Sequence, residues 1–175
     1  MSTRSRLALK SCILAALSFM LAGLSWMTPA LSASEIIPDQ RQSPGLRSLY
    51  VTLGTKSILA KVADTDSSRI QGLLGWEYIS GDTGMLLDFI MEGTYAIHMQ
   101  GMKFPIDAIW IDSKGVIRLI YDDIQPNSGQ IFPSMFPSRY CLEVKSGFCR
   151  KFGVKIGQTV SFGQTGPETD TKSSK

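Results

Sequence analysis

The stretch "DAIWIDSKGVIRLIY", residues 107–121, decides the fold. Two runs rich in β-branched and aromatic residues, 107–112 and 116–121, flank a turn read over "DSKG". So short a connection joins antiparallel neighbours, because a parallel pair needs a crossover of a dozen residues or more. The segment "AIWI" is apolar on both faces, as a central strand is. The sheet therefore extends on either side of it.

Reading outward, "SLYVTL" (48–53), "SILAKVA" (57–63), "GMLLDF" (84–89), "TYAIHM" (94–99), "RYCLEVK" (139–145) and "TVSF" (159–162) are further strands. "DSSRIQGLLGWEYI" (66–79) opens with cap-type residues and spaces Ile70, Leu73 and Leu74 as a short helix does. "SGFCRKFG" (146–153) is a helical turn ending at Gly153. Short strands about every ten residues, with turn residues between, predict a sandwich or barrel. The expected fold class is mainly β: a jelly-roll-like antiparallel β-sandwich with one or two short helices.

The chain ends carry different signals. Residues 1–33 read as an export signal: a basic start, the apolar "CILAALSFMLAGL", then small residues after Pro29. An uncleaved anchor is the alternative, although the apolar stretch is short for a span of about 20 residues. Residues 34–46 read as a linker, 47–163 as the β domain and 164–175 as a polar disordered tail. Arg4, Arg6 and Lys10 carry the whole excess charge. Removing those three from 18 basic residues leaves 15, against 15 acidic ones. A neutral domain has no electrostatic footprint for nucleic acid. It meets a membrane only through the signal segment, if that stays attached. The expected location is periplasmic or secreted, and the expected partner an envelope ligand or protein.

Export would leave two cysteines, Cys141 and Cys149, in an oxidising compartment. A disulfide between them is expected, with two unpaired packing thiols as the alternative. One histidine and two cysteines without close spacing make no zinc framework, so no metal is expected. No motif calls for a cofactor.

Four segments, in order, resemble a known family. "RIQGLLGWEYI" resembles Arg-x-x-Gly-Leu-Met-Gly, and "GMLLDF" resembles Gly-Met-Leu-Phe-x-Phe. "HMQGMKFPIDAIWID" resembles His-Thr-Phe-x-Met-Arg-Phe-Pro-Ile-Asp followed by an apolar strand and Asp. "RYCLEVKSGFCRKFGVKIGQTV" resembles Arg-Tyr-Val-Leu-Glu-Leu-x-Ala-Gly followed by a Gly-Asp step. Over about residues 58–162 the chain resembles the domain of unknown function 192 family, in its exported bacterial branch. The resemblance implies a jelly-roll-like sandwich and brings no established activity. Many relatives have Trp-Met-Lys-Asn-Thr where this chain has residues 98–102, beginning at His98; the His form belongs to another branch. Cys141 stands at a usually apolar position, and Gln158 replaces the Asp of the Gly-Asp step.

His98 is the chain's one histidine. Alternation places Tyr95, Ile97 and Met99 on the core face, and Ala96, His98 and Gln100 on the other. In the same way Tyr140, Leu142 and Val144 point inward, with Arg139, Cys141, Glu143 and Lys145 opposite. His98, Asp107, Arg139 and Glu143 are then the candidate ligand-binding cluster; no catalytic residue is assigned. Two functional classes stand. One is a non-catalytic module binding a glycan, a peptide or an envelope protein, with Trp76, Tyr78, Tyr121, Phe132 and Phe136 as stacking faces. The other is a small hydrolase or lyase using Asp107 and Glu143 with His98, dividing acid and base roles. The sequence holds no Gly-x-Ser-x-Gly, His-Glu-x-x-His or phosphate loop.

Overall fold

The computed structural model describes residues 45–163. The signal segment, most of the linker and the polar tail lie outside the described residues. Those described form nine strands and two short helices. Strands β1 (Ser48–Leu53), β2 (Lys56–Ala63), β3 (Thr83–Gly93), β5 (Ile106–Ile111), β6 (Ile117–Ile124), β8 (Ser138–Lys145) and β9 (Val160–Gly163) make one sheet. Its order is β6-β5-β8-β3-β2-β1-β9. A second sheet pairs the short strands β4 (Ala96–His98) and β7 (Ile131–Pro133). The expected mainly β fold is what the chain adopts.

The quoted hairpin forms as read. Gly115 N–H donates to Asp112 O at 3.1 Å. The Asp112 carboxylate accepts from the N–H groups of Lys114 and Val116, fixing the turn. The large sheet curls until its two edges meet. Val116 bridges Thr159, Ile117 N–H donates to Gln158 O at 2.9 Å, and Val160 N–H donates to Gly115 O at 2.8 Å. The contact is local, joining the β5–β6 turn to the start of β9, and β6 and β9 remain the two ends of the strand order.

Inside the curl lies one core layer, with Val51, Ile58, Leu86, Ile109, Ile117, Leu142 and Val160 drawn from all seven strands. A second layer covers the outside of β3, β8 and β5. There Met85, Leu87, Ala108, Trp110 and Cys141 pack against Leu73, Trp76, Ile97 and Met99 from the connections. Strand β5 is buried at every position, as its two-sided apolar pattern requires.

Three expectations need correction. The sheet is not wholly antiparallel, because β2 and β3 pair in parallel. Residues 64–82 between them provide the crossover such a pair needs, with helix α1 (Asp66–Gln71) inside it. That helix is shorter than 66–79. Thr65 and Ser68 close a capping box at its start, and Gly72 ends it at φ 43° and ψ −125°. Beyond Gly72 the chain continues in turns that carry Leu73, Trp76 and Ile79 into the outer layer.

The third correction concerns the cysteines. Both are free and buried. Cys141 lies in the outer layer, opposite Trp110 in register, whereas Cys149, on helix α2 (Phe148–Phe152), packs into the inner layer. The two thiols occupy opposite faces of the sheet, so the expected disulfide does not form. The face of β8 assigned to solvent is in fact the floor of the outer layer, and Cys141 is a small packing residue there.

Candidate functional site

The outer layer is not filled everywhere. A cleft of about 630 Å³ opens between α1 and its following turn, β4 and the outer face of β3 and β8. Leu73, Leu74, Phe89, Tyr95, Met99 and Met102 supply most of its walls, and Glu143, His98, Arg69 and Asp66 its polar groups. A mostly apolar concavity with a few polar groups is the usual form of a ligand site.

Glu143 lies opposite Met85 of β3 and Ala108 of β5. Ala108 is small, which leaves volume beside the carboxylate. Gly72 lies above it. A Cβ at that position would stand 3.8 Å from Glu143 Oε2 and 3.4 Å from Arg69 O. Those are ordinary contact distances, and it is the positive φ of Gly72 that favours glycine there. Glu143 is 7% exposed, and among the described residues it has no hydrogen-bond or ion-pair partner. Burial pushes its carboxyl up to about 7. The same carboxylate, together with burial, raises the Cys141 thiol well above its ordinary value, burial being the larger cause.

Arg69 does not neutralise Glu143. Its guanidinium donates to Asp88 O at 2.6 Å and to the Asp66 carboxylate, and it lies 5.6 Å from the centre of the Phe89 ring. Phe89 stacks in turn on Tyr95, with centroids 3.9 Å apart. The arginine is thus a wall of the cleft, already paired. His98 stands at the cleft, exposed, with Nδ1 accepting from Gln100 N–H at 3.3 Å. The alternation read for β4 holds: Ile97 and Met99 are buried, while Ala96, His98 and Gln100 are exposed. Strand β7 fixes β4 by pairing Ile131 with His98 and Phe132 with Ile97.

Of the four candidate residues, the structure brings His98 and Glu143 to one cleft and separates the other two. Asp107 lies on the inner face of β5, fully buried. Its carboxylate accepts from the N–H groups of Asp123, Gly147 and Cys149 at 2.9, 3.0 and 2.9 Å. Gly147, the N-cap of α2, has no side chain, so Asp107 caps that helix from across the barrel end. Arg139 pairs with Asp88, Nε to Oδ1 at 3.0 Å and Nη2 to Oδ2 at 3.2 Å, away from the cleft. The bulge of β3 between Asp88 and Gly93 accompanies that departure from simple alternation. Asp107 and Glu143 therefore face opposite sides of the sheet, and the paired-carboxylate mechanism has no site here.

Asp107, Asp122 and Cys149 do bring ligand-type atoms within 4.8 Å of one another. Asp107 is already committed to three backbone donors, and burial with both carboxylates pushes the Cys149 thiol up, away from the thiolate a metal needs. Of the aromatics expected as stacking faces, Tyr78 and Phe136 are exposed, and Trp76, Tyr121 and Phe132 pack within the outer layer. Trp76 is buried, and Tyr121 packs edge-on to Phe132 while donating its hydroxyl to Pro133 O. Sequence reasoning missed Arg69, Gly72 and the apolar wall. The first two were present in the Arg-x-x-Gly-Leu segment, unrecognised as cleft residues.

The fold and cleft define a small barrel-like β domain with an apolar recess and a buried acid at its floor. The chain belongs to the domain of unknown function 192 family (DUF192, "Uncharacterized ACR"), whose sequence model matches residues 49–162. No curated protein matches it. A crystal structure from Sinorhizobium meliloti 1021, named a "putative transcription regulator", is similar at 30% identity and a TM-score of 0.65. That match covers 67% of this chain and 95% of the other. A protein of unknown function from Novosphingobium aromaticivorans DSM 12444 is similar in fold, with 19% identity and a TM-score of 0.61. It covers 66% of this chain and 84% of the other.

Proposed function

We propose that this is an exported, non-catalytic binding module whose site is the cleft between α1, β4 and β8. The carrying observation is Glu143: a carboxylate without a partner among the described residues, buried at the floor of an apolar recess that reaches the surface. A carboxylate that is 7% exposed, lines a cleft and has no partner among the described residues is placed to meet a ligand there. The walls suit a ligand with an apolar body better than a glycan, whose many hydroxyls need more polar partners than the cleft offers. Export rests on the basic-apolar-small pattern of residues 1–33.

Methionine methyl NMR tests this reading. Met99 and Met102 line the cleft, whereas Met91 and Met135 are exposed and do not. Small amines, alcohols, carboxylates and short peptides, titrated into the domain, are expected to shift the first pair. Ligands that bind while shifting only the second pair would place the site elsewhere and overturn the reading.

A further inference from the structure

The arrangement around Glu143 restricts the kind of molecule that fits the cleft. Resting on the proposal that this cleft is the binding site, we infer that it binds a primary ammonium group carried on an aliphatic chain, with the ammonium seated on Glu143. The charges of the cleft make the case. Asp66 and Arg69 cancel as a pair, and the remaining hydrogen bond of Arg69 goes to a backbone carbonyl. Among the described residues, no cation pairs with Glu143. What remains is one carboxyl, mostly ionised only above pH 7, in a recess walled by Leu73, Leu74, Met99, Met102 and the Phe89–Tyr95 stack. A ligand that is cationic at one end and aliphatic along its length meets both requirements. A carboxylate ligand would meet like charge at the floor. A neutral alcohol would leave the ionised acid with a weaker partner than a charged donor.

Two sources share this chemistry, a free alkylamine and a lysine side chain of a peptide. The probes are hexylamine, hexanol, hexanoate and the capped tripeptide acetyl-Gly-Lys-Gly-amide, each titrated by calorimetry and by methionine methyl NMR. Hexylamine is expected to bind at least tenfold more tightly than hexanol and hexanoate, with shifts at Met99 and Met102. Tripeptide binding at equal or higher affinity identifies a lysine side chain as the source; weaker binding identifies the free amine. E143Q is expected to lose about tenfold to a hundredfold in amine affinity.

Affinity is also expected to rise about tenfold from pH 6 to pH 8. A carboxyl with its midpoint near 7 goes from about one-tenth to about nine-tenths ionised over that range, while an alkylamine stays protonated. Among the described residues, the charged and titratable groups around this carboxyl are Cys141 on its own strand, Asp66 and Arg69 on α1, Tyr95 just before β4 and His98 on β4. The rise is expected to survive in H98Q and vanish in E143Q, which assigns it to the carboxyl on the floor. Tighter binding of hexanol or hexanoate at the same methionines would overturn the ammonium assignment and keep the cleft. Binding by none of the probes would overturn both. Equal amine affinity in folded E143Q would overturn the role of Glu143.

Discussion

Replacing Glu143 by Gln is expected to stabilise the folded domain at pH 8 by about 3 kcal/mol, although it removes the group proposed to hold the ligand. The sign follows from burial. The folded carboxyl is raised from its ordinary 4.5 to about 7. Well below pH 4.5 it is protonated in both folded and unfolded chains and contributes no difference. Between 4.5 and 7 the unfolded chain releases the proton while the folded chain keeps it, so rising pH favours unfolding. Above 7 the whole penalty is present, and an uncharged Gln of similar shape avoids it. The gain should therefore be absent near pH 4 and complete by pH 8. Urea denaturation of both proteins across that range measures it. A variant less stable than the parent at pH 8 would show that Glu143 has a stabilising partner within the fold. A residue that weakens its own fold at neutral pH is of the kind retained for binding rather than for packing.

Asp107→Ala is expected to cost about 3–5 kcal/mol, the largest loss among the four candidate residues. The side chain is 0% exposed and satisfies backbone donors of Asp123, Gly147 and Cys149. Its removal leaves these N–H groups without acceptors at a barrel end where α2 has no cap of its own. Asp107→Asn keeps one acceptor oxygen and should lose roughly half as much, because its amide group meets N–H donors instead of pairing with them. A loss below about 1 kcal/mol for the Ala variant, by the same urea measurement, would mean that water replaces the carboxylate. Amine binding by the folded fraction should be unchanged, since Asp107 faces the opposite side of the sheet from Glu143.

The contrast between these two carboxylates shows where sequence reasoning succeeds and where it stops. Alternation correctly grouped Ile97 with Met99, and Leu142 with Val144. It says which residues share a face, but not which face is covered. Strands β5 and β8 are covered on both, so Glu143 and Asp107 are each buried, in different layers. Which neighbours flank a strand, and in which direction, is set by the curl and by the crossover through α1. Side-chain periodicity carries neither, and the parallel β2–β3 pair was missed for that reason. Strand β7 escaped notice because it has three residues, ends in Pro133 and lies within a proline-rich loop. The hairpin over 107–121 was readable because its turn chemistry and its strand pattern agree within fifteen residues. Arg139 was misplaced because a bulge in another strand, 51 residues away, brings Asp88 to it.

The most direct measurement is a pH titration of the Glu143 side-chain carboxyl carbon by NMR, with and without saturating hexylamine. Alone, the carboxyl is expected to titrate near pH 7. With the amine seated on it, its midpoint should fall by a unit or more, because an adjacent cation favours the ionised form. A midpoint near 4.5 in the free protein, or one that hexylamine leaves in place, would contradict an unpaired buried acid serving as the anchor of this cleft.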